Sequence, residues 1–473
     1  MLLAALLLTA AAWLRGAEYD EQYTLFLTAG VPRPDWPETA FPAGTVAAVQ
    51  AHHATLSGIA RDLRATDVHP PLYFWAVSLW RVVFGPGLFA ARMLSVLCGL
   101  VSIWVIGVIA RHCSIRPAVA MLLTLGCYGF VYTNAIARGF APAQMLILCG
   151  AALVLRRRPL LAGVCLGAAC CCHYLAVFVA VAVVIAGSLW LAPVTSMPFL
   201  ALDAWFFAAQ HGARNGQFPA FEVWPSVLRL AEYQTASVFG GLPLYVDGVG
   251  RLGVGASVGL LAAGIVLRVA LSRPLSAGRA IRVLLGAAVA TPIGLLLLGI
   301  VFNNTPIELR YLSFGLSFVG LLVAWVLPGD DKPGHAGWRK CLLPLIVSIQ
   351  FAGIAGLLLS PRTMQPARTA AIEAARLVGD GIVLLPRGND GVGIVGAFGI
   401  EAPPTLPILL VRPTDPLAAR IGPYRRVALA LMAQDSESTA TIAILRATFA
   451  APNWRRVVIR SNLEIFERIE TGE

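Results

Sequence analysis

Long apolar stretches recur along this chain from Met1 to about Ser360, and they limit the folds that it can adopt. Hydrophobic residues make up 58% of the chain and charged residues 13%, about half of the ~25% that soluble domains carry. None of the stretches alternates apolar and polar residues as the strands of a membrane barrel do. The pattern predicts a polytopic helical membrane protein, because only helices and closed barrels satisfy their backbone polar groups in hydrocarbon.

Windowed hydropathy predicts about eleven membrane spans. We expect them near residues 1–14, 88–110, 117–133, 139–155, 160–172, 174–192, 198–210, 253–272, 283–302, 309–327 and 341–360. Two of them, 160–172 and 198–210, are shorter than the ~20 residues that usually cross a bilayer. The first segment also resembles the apolar part of a signal peptide, but it lacks the basic start of one, so we interpret it as a retained helix.

Basic residues set the expected orientation of the spans. They fall on alternate loops, at Arg111, Arg116, Arg156, Arg157, Arg158, Arg268, Arg273, Arg279, Arg282, Lys332, Arg339 and Lys340. Loops enriched in lysine and arginine stay in the cytoplasm. The outer face then receives residues 15–87, 134–138, a turn near His173 and Tyr174, residues 211–252 and 303–308, and everything after about 361. We expect this face to be the periplasmic side of a bacterial inner membrane.

Charge and cysteine content exclude two kinds of site. The net charge of +11 comes largely from the cytoplasmic loops, so it indicates contact with anionic membrane lipids and not with nucleic acid. Most of the nine cysteines lie within apolar spans, where they behave as small hydrophobic residues. They predict neither a disulfide framework nor a metal site.

Composition changes after Arg362, where charges of both signs return and short β-rich runs alternate with helical runs. The candidate strands and helices are, in order, Arg368–Val378 (helix), Gly381–Leu385, Leu406–Val411, Val427–Met432, Ser438–Phe449 (helix), Arg456–Arg460 and Leu463–Arg468. We therefore expect an all-α polytopic membrane domain at 1–361, which contains the outer loop 15–87, and a small extracytoplasmic α/β domain at 362–473. The run 391–396 fits GxGxxG, but so does 248–253 in a membrane loop, so we discount both as nucleotide sites.

Two polar blocks lie on the first outer loop. Asp20 and Glu21 follow the first apolar segment almost at once. A fixed carboxylate at the membrane boundary suits a general base, and its neighbour can orient it. The alternative is a solvated acidic pair at the exit of a helix.

The second block is Asp67-Val68-His69-Pro70-Pro71. The two prolines fix φ and push their predecessors towards extended backbone, so His69 is displayed ahead of the following helix. Asp67 caps that helix, orients His69 or contacts a substrate; a purely structural cap is the alternative. The helix itself, Leu72–Phe84, is short and rich in aromatic residues, so we interpret it as interfacial.

Three arginines are candidates for binding an anionic lipid headgroup. Arg138 and Arg310, the latter followed by Tyr311, lie at the outer ends of spans, and Arg92 begins another span. An arginine at the mouth of a helical bundle is costly unless it is paired, and a lipid phosphate is a natural partner. The alternative for each is snorkelling to the bulk headgroups.

Taken together, these blocks resemble a known signature. The matching runs are Asp20-Glu21, residues 67–75 (DVHPPLYFW), Phe84-Gly85, residues 91–95 (ARMLS), residues 137–140 (ARGF) and residues 309–312 (LRYL). They are similar to motifs of the GT-C superfamily of glycosyltransferases, in particular to the bacterial relatives of the protein O-mannosyltransferases and the lipid A aminoarabinose transferases. The resemblance covers about residues 15–330.

The resemblance implies an inverting hexosyl- or pentosyltransferase that uses a polyprenyl-phosphate sugar as donor. It implies Asp20 as the base with Glu21 as its neighbour in acceptor binding, Arg138, Arg310, Tyr311 and Arg92 as the donor-phosphate residues, and Asp67 and His69 as residues that shape the site. The resemblance does not identify the acceptor, which is a protein, a glycolipid or a polysaccharide. No cofactor is assigned, although acidic pairs in some distant relatives hold a divalent ion. The alternatives are a transporter or lipid flippase with a soluble receptor domain, and a sensory membrane protein.

Overall fold

The computed structural model describes residues 1–210, 218–242, 259, 278–327, 337–359, 366–387, 392–415, 417–432 and 435–469. Most of these residues are helical, and a small β-sheet is present. The chain divides into two compact units. Unit 1 comprises Met1–Leu14, Ala60–Val77 and Ala91–Ser360, and unit 2 comprises Arg15–Ile59, Ser78–Ala90 and Pro361–Glu473.

The elements up to residue 359 are mostly helices. In chain order they are α1 (Leu2–Leu14), α2 (Tyr19–Ala29), β1 (Phe41–Pro42), α3 (Gly44–Gln50), α4 (Leu56–Thr66), α5 (Leu72–Phe84), α6 (Leu88–His112), α7 (Pro117–Leu125), α8 (Tyr128–Thr133), α9 (Phe140–Leu155), α10 (Pro159–Cys172), α11 (Ala176–Gly187), α12 (Ala192–Gln210), α13 (Val223–Phe239), α14 (Arg279–Phe302), a 3₁₀ turn (Leu309–Leu312), α15 (Ser313–Val326) and α16 (Gly337–Leu359). Strands and helices then mix: α17 (Ala367–Val378), β2 (Ile382–Pro386), α18 (Gly393–Glu401), β3 (Pro407–Val411), α19 (Leu417–Ile421), β4 (Arg426–Ala430), α20 (Ser436–Thr448), β5 (Trp454–Ile459) and β6 (Leu463–Arg468).

Within the described residues, five helical stretches are long and apolar enough to cross a membrane: α6, α12, α14, Leu309–Val326 and Cys341–Leu359. Helices α1 and α2 supply a sixth if they count together as one span. The expected total of about eleven is not confirmed. The predicted span 117–133 is two helices, α7 and α8, because the backbone is extended at Cys127 between them. The predicted span 253–272 lies outside the described residues apart from residue 259.

Close helix packing in unit 1 depends on small residues. Gly167 of α10 lies against Ser196 and Phe199 of α12, where an added Cβ would come within 3.0 Å of the Ser196 Cα. Glycine at such contacts lets two helix backbones approach, which is how apolar helices associate when lipid removes the hydrophobic driving force. Helix α10 ends at Cys172, directly before His173.

Unit 2 contains a six-stranded sheet in the order β1-β3-β2-β4-β6-β5. Strand β2 pairs in parallel with β3 and β4, whereas β6 is antiparallel to β4 and β5. The predicted strands and helices of this region are confirmed to within about three residues, a normal boundary error. The sequence did not predict α18, α19 or β1.

The main hydrophobic core of unit 2 joins the first loop to the C-terminal part of the chain. Phe26, Trp36 and Val46 are buried in the same cluster as Ala370 and Phe398. Strand β1 extends the sheet, with Phe41 opposite Ile408 in an antiparallel pair. Unit 2 therefore contains residues on both sides of the expected boundary at 361, and the assignment of these parts to a membrane domain and a periplasmic domain stays a prediction.

Arg81 of α5 is fully buried, although the sequence placed it on an interfacial helix. Its guanidinium donates hydrogen bonds to the backbone oxygens of Leu25, Gln50 and Pro86 and to the Thr28 hydroxyl. These acceptors lie at the ends of α2 and α3 and in the turn after α5. One side chain thus ties three segments of unit 2 together.

We expect Arg81→Met to destabilise unit 2 strongly. Methionine keeps an apolar stem but leaves the carbonyl oxygens of Leu25, Gln50 and Pro86 without these donors, at about 1–3 kcal/mol for each buried acceptor. Thermal unfolding and limited proteolysis of the detergent-solubilised protein measure the effect. Arg61→Ala is the control, because the Arg61 side chain is 79% exposed; equal melting temperatures for both variants would contradict the role given to Arg81.

Candidate functional site

Helix α2 carries Asp20 and Glu21 in its first turn. Glu21 is buried, and its Oε2 accepts a hydrogen bond from the backbone N–H of Glu18 at 2.9 Å. The Glu18 carboxylate in turn accepts from Arg15 at 2.7 Å, and both of these side chains are buried. Asp20, which is half-buried, therefore projects from a helix start that an ion pair and a capping interaction hold in place.

A second group of predicted residues meets in unit 1. The Asp67 Oδ1 lies 2.6 Å from the His69 Nδ1, and the Arg138 guanidinium lies 3.0 Å from the His69 Nε2. Arg138 is 4% exposed and Asp67 9%. A carboxylate, an imidazole and a guanidinium thus contact one another in a row. The sequence offered the contact between Asp67 and His69 as one of the roles of Asp67, but it did not predict the contact between His69 and Arg138.

One guanidinium nitrogen of Arg138 contacts both ring nitrogens of His69, Nε2 at 3.0 Å and Nδ1 at 3.4 Å. The Asp67 carboxylate contacts the same Nδ1. The imidazole therefore lies between the carboxylate of Asp67 and the guanidinium of Arg138, and it links the position of one to the position of the other.

Aromatic side chains surround this chain of polar groups within unit 1. The His173 ring centroid lies 5.7 Å from that of His69, 4.7 Å from that of Phe140 and 6.0 Å from that of Tyr311. The Arg310 guanidinium carbon lies 5.5 Å from the centre of the Tyr311 ring. Tyr311 is therefore linked to His69 through the ring of His173, and Arg310 lies beside Tyr311.

Gly139, in the ARGF run, has a steric explanation. A Cβ at this position would run into the carbonyl oxygen of Cys172. The close approach of this backbone to the end of α10 lets Phe140 pack on His173. Glycine is required by the packing around Arg138.

Sequence reasoning missed Gln210 at the end of α12. Its amide nitrogen donates to the carbonyl oxygens of Leu63 and His69, at 3.0 and 3.1 Å, and its oxygen accepts from the Tyr174 hydroxyl at 2.8 Å. The side chain is 3% exposed. It therefore binds the backbone of His69 and of α4. A polar amide at the end of an apolar segment was the available signal, but nothing indicated its partners.

Arg92 is buried in α6, and its described hydrogen bond runs to the carbonyl oxygen of Ala12 at 2.8 Å. It thereby satisfies a backbone acceptor in the last turn of α1. Nearby in the chain, the Ser95 hydroxyl donates to the carbonyl of Ile136 at 2.7 Å, two residues before Arg138. The ARMLS run thus supports the backbone on which Arg138 sits, and a phosphate-binding role for Arg92 stays a prediction.

Within the residues that the structure describes, no group of three or more His, Cys, Asp or Glu side chains has a geometry that could hold a metal ion.

The helices and sheet define a multi-pass membrane protein whose fold is also found among solved structures. Two solved structures of ArnT from Cupriavidus metallidurans share this fold. The structure of ArnT bound to undecaprenyl phosphate matches with a TM-score of 0.52 and 11% identity, over 99% of this chain and 97% of that one. The apo structure matches with a TM-score of 0.51 and 11% identity, over 99% and 96%. No protein-family model and no curated protein matches the sequence at a significant level.

The resemblance of the motifs to the GT-C superfamily is thus confirmed at the level of the fold. At 11% identity the likeness extends to the fold alone.

Proposed function

We propose that this chain is an inverting glycosyltransferase that moves a sugar from a polyprenyl-phosphate donor to an acceptor at the outer face of a bacterial inner membrane. The observation that carries the proposal is the fold shared, over 99% of the chain, with ArnT bound to undecaprenyl phosphate. That ligand belongs to ArnT; the donor class for this chain is inferred from the fold together with Asp20, Arg138 and Arg310. In this proposal residues 362–473 form a periplasmic domain.

In the proposed reaction Asp20 takes the proton of the acceptor hydroxyl while that oxygen attacks the anomeric carbon of the donor sugar. The bond from that carbon to the phosphate oxygen breaks on the opposite side, so the anomeric configuration inverts. The leaving group is the polyprenyl phosphate, on which negative charge develops. Positive charge near that phosphate, from Arg138 and Arg310, stabilises the transition state more than the ground state.

The remaining predicted residues have supporting roles in this proposal. Glu21 assists acceptor binding beside Asp20, and its contact with the Glu18 N–H also holds the first turn of α2. Tyr311 and Arg92 contribute to the donor-phosphate site. Asp67 and His69 shape that site because they orient the Arg138 guanidinium.

Mass spectrometry of envelope lipids and glycans from cells that lack the protein tests the proposal. We expect one polyprenyl-phosphate sugar to accumulate and its acceptor to lose that sugar. The purified protein in vesicles should then transfer the sugar from this lipid to the acceptor, and cells complemented with Asp20→Asn should keep the accumulated lipid. Unchanged lipids, together with movement of a labelled polyprenyl lipid across the vesicle membrane without transfer, would identify a flippase instead.

A pair of substitutions at His69 tests the hydrogen-bond chain to Arg138. Glutamine carries an acceptor oxygen about as far from the backbone as the imidazole Nε2, whereas the asparagine amide is one bond shorter. We expect His69→Asn to weaken binding of polyprenyl phosphate about tenfold, the value of one moderate hydrogen bond, and His69→Gln to bind within about threefold of the original protein. Isothermal titration in detergent measures both.

His112→Asn is the matched control for this pair, because His112 is exposed at the end of α6. Equal affinities for the Asn and Gln variants at His69 would show that the contact to Arg138 does not matter for donor binding.

A further inference from the structure

The C-terminal part of unit 2 forms a hydrogen bond with the backbone just before helix α2. The Glu401 carboxylate at the end of α18 accepts a hydrogen bond from the Ala17 N–H at 2.6 Å. Its second oxygen accepts from the Arg368 Nε of α17 at 2.7 Å. Ala17 is fully buried, so this backbone donor has no access to water. The ion pair of Arg368 and Glu401 therefore fixes the backbone three residues before Asp20, although Glu401 lies 384 residues beyond Ala17 in the chain.

Three glycines on one side of α18 bring that helix against the first loop. Gly393, Gly396 and Gly399 recur every third residue and so lie along neighbouring turns of the helix. A Cβ at Gly393 would meet the Tyr19 ring, and a Cβ at Gly396 would lie 2.8 Å from the Gln22 Cβ. Both contacts are with α2, one residue before and two residues after Asp20. Gly393 and Gly396, two glycines of the run discounted above as a nucleotide motif, thus have a packing role.

The neighbouring helix α3 is held in the same way. A Cβ at Gly399 would meet Val46 of α3. The backbone N–H groups of Ala43 and Gly44 donate to the carbonyl oxygens of Leu406 and Pro404, both at 2.9 Å. The Gln50 amide at the end of α3 donates to the Gln22 amide oxygen at 2.9 Å. The C-terminal part of the chain therefore supports α2 directly through α18 and indirectly through α3.

We infer that α17 and α18 act as the support that sets the position of the proposed base, with Gly396 and Glu401 as positioning residues. The inference rests on the proposed function, because it takes Asp20 as the base. It assigns the C-terminal α/β region a part in catalysis that its own sequence does not reveal. Because the proposal assigns Asp20 to the acceptor proton and not to the donor phosphate, a shift of α2 should lower kcat and leave donor affinity nearly unchanged.

The test compares Gly396→Ala and Glu401→Ala with the full-length parent protein in vesicles. Gly87→Ala is the control, because Gly87 belongs to the same unit and a Cβ there meets nothing within 4 Å. We expect kcat to fall about 10- to 100-fold in the two positioning variants, as expected for displacements of ångström size. Affinity for polyprenyl phosphate should stay within about twofold. Glu401→Gln, which keeps an acceptor for the Ala17 N–H, should recover part of the lost kcat.

Hydrogen exchange of the α2 amides supplies a readout that does not depend on activity. We expect residues 19–29 to exchange at least about tenfold faster in Gly396→Ala and Glu401→Ala, while α9 keeps its protection. Unchanged exchange in α2, or unchanged kcat with an intact fold, overturns the inference. If Gly396→Ala does not fold, the Glu401 pair decides. A parent protein without transfer activity refutes the proposed function, and the exchange measurement still decides whether α18 positions α2.

Discussion

Replacement of Asp20 by asparagine should lower the single-turnover rate of sugar transfer by about 10²- to 10⁴-fold, the range that general base catalysis contributes. The amide keeps the size of the carboxylate but cannot take the proton of the acceptor hydroxyl. Donor affinity should not change, because Asp20 is not assigned to the phosphate. Quench-flow with donor loaded on reconstituted protein measures the rate, and equilibrium binding of polyprenyl phosphate measures the affinity.

Asp35→Asn is the matched control for this experiment. Asp35 lies on the same loop and in the same unit as Asp20, but its side chain is exposed. We expect this variant to transfer sugar at the rate of the parent protein. Turnover retained in Asp20→Asn would assign the base to another residue.

Removal of the Arg138 guanidinium should cause a large loss of donor binding, whereas the Asp20 substitution should slow transfer and leave donor binding unchanged. A buried charge-assisted hydrogen bond is worth about 2–3 kcal/mol, so Arg138→Ala should raise the Kd for polyprenyl phosphate about 30- to 150-fold. Arg138→Lys should recover only part of the affinity, because an ammonium cannot form two parallel hydrogen bonds to a phosphate. The same titration used for the His69 variants measures this effect.

Arg156→Ala is the control here, because Arg156 is exposed beyond the end of α9 and is expected on a cytoplasmic loop. An Arg138→Ala variant that binds the donor normally but turns over slowly would place this arginine on another part of the substrate. Together, the Asp20 and Arg138 variants separate the proton-transfer step from donor binding.

Local sequence patterns predicted those elements whose stability is local. The strands of unit 2 could be predicted because runs such as Leu463–Arg468 carry β-forming residues between turns, and the structure has a strand with these bounds. Helix α18 was not predicted because three of its nine residues are glycine, and each glycine disfavours a helix by about 1 kcal/mol. The contacts of α18 with α2 and α3 compensate for this low helix propensity. Strand β1 is two residues long and exists only because Phe41 pairs with Ile408.

The candidate site likewise has features that local sequence predicts and features that depend on contacts between distant residues. The two prolines after His69 were enough to predict that it precedes α5, and the structure confirms this. The contact of His69 with Arg138 joins residues 69 positions apart and has no local signature. The burial of Arg81 could not be predicted, because its partners are backbone oxygens of α2 and α3, which a pattern of side chains does not indicate.

Unit 2 is assembled from three stretches of the chain, 15–59, 78–90 and 361–473. Its core therefore cannot close during synthesis until residues beyond 361 have been made, since contacts distant in sequence form late. Helix α2 is made well before the residues that complete its surroundings. A nascent chain stalled before residue 361 should thus already hold many of its apolar helices and still expose Trp36 and Phe26, which makes the early loop a natural target for chaperones and proteases until the later residues are made.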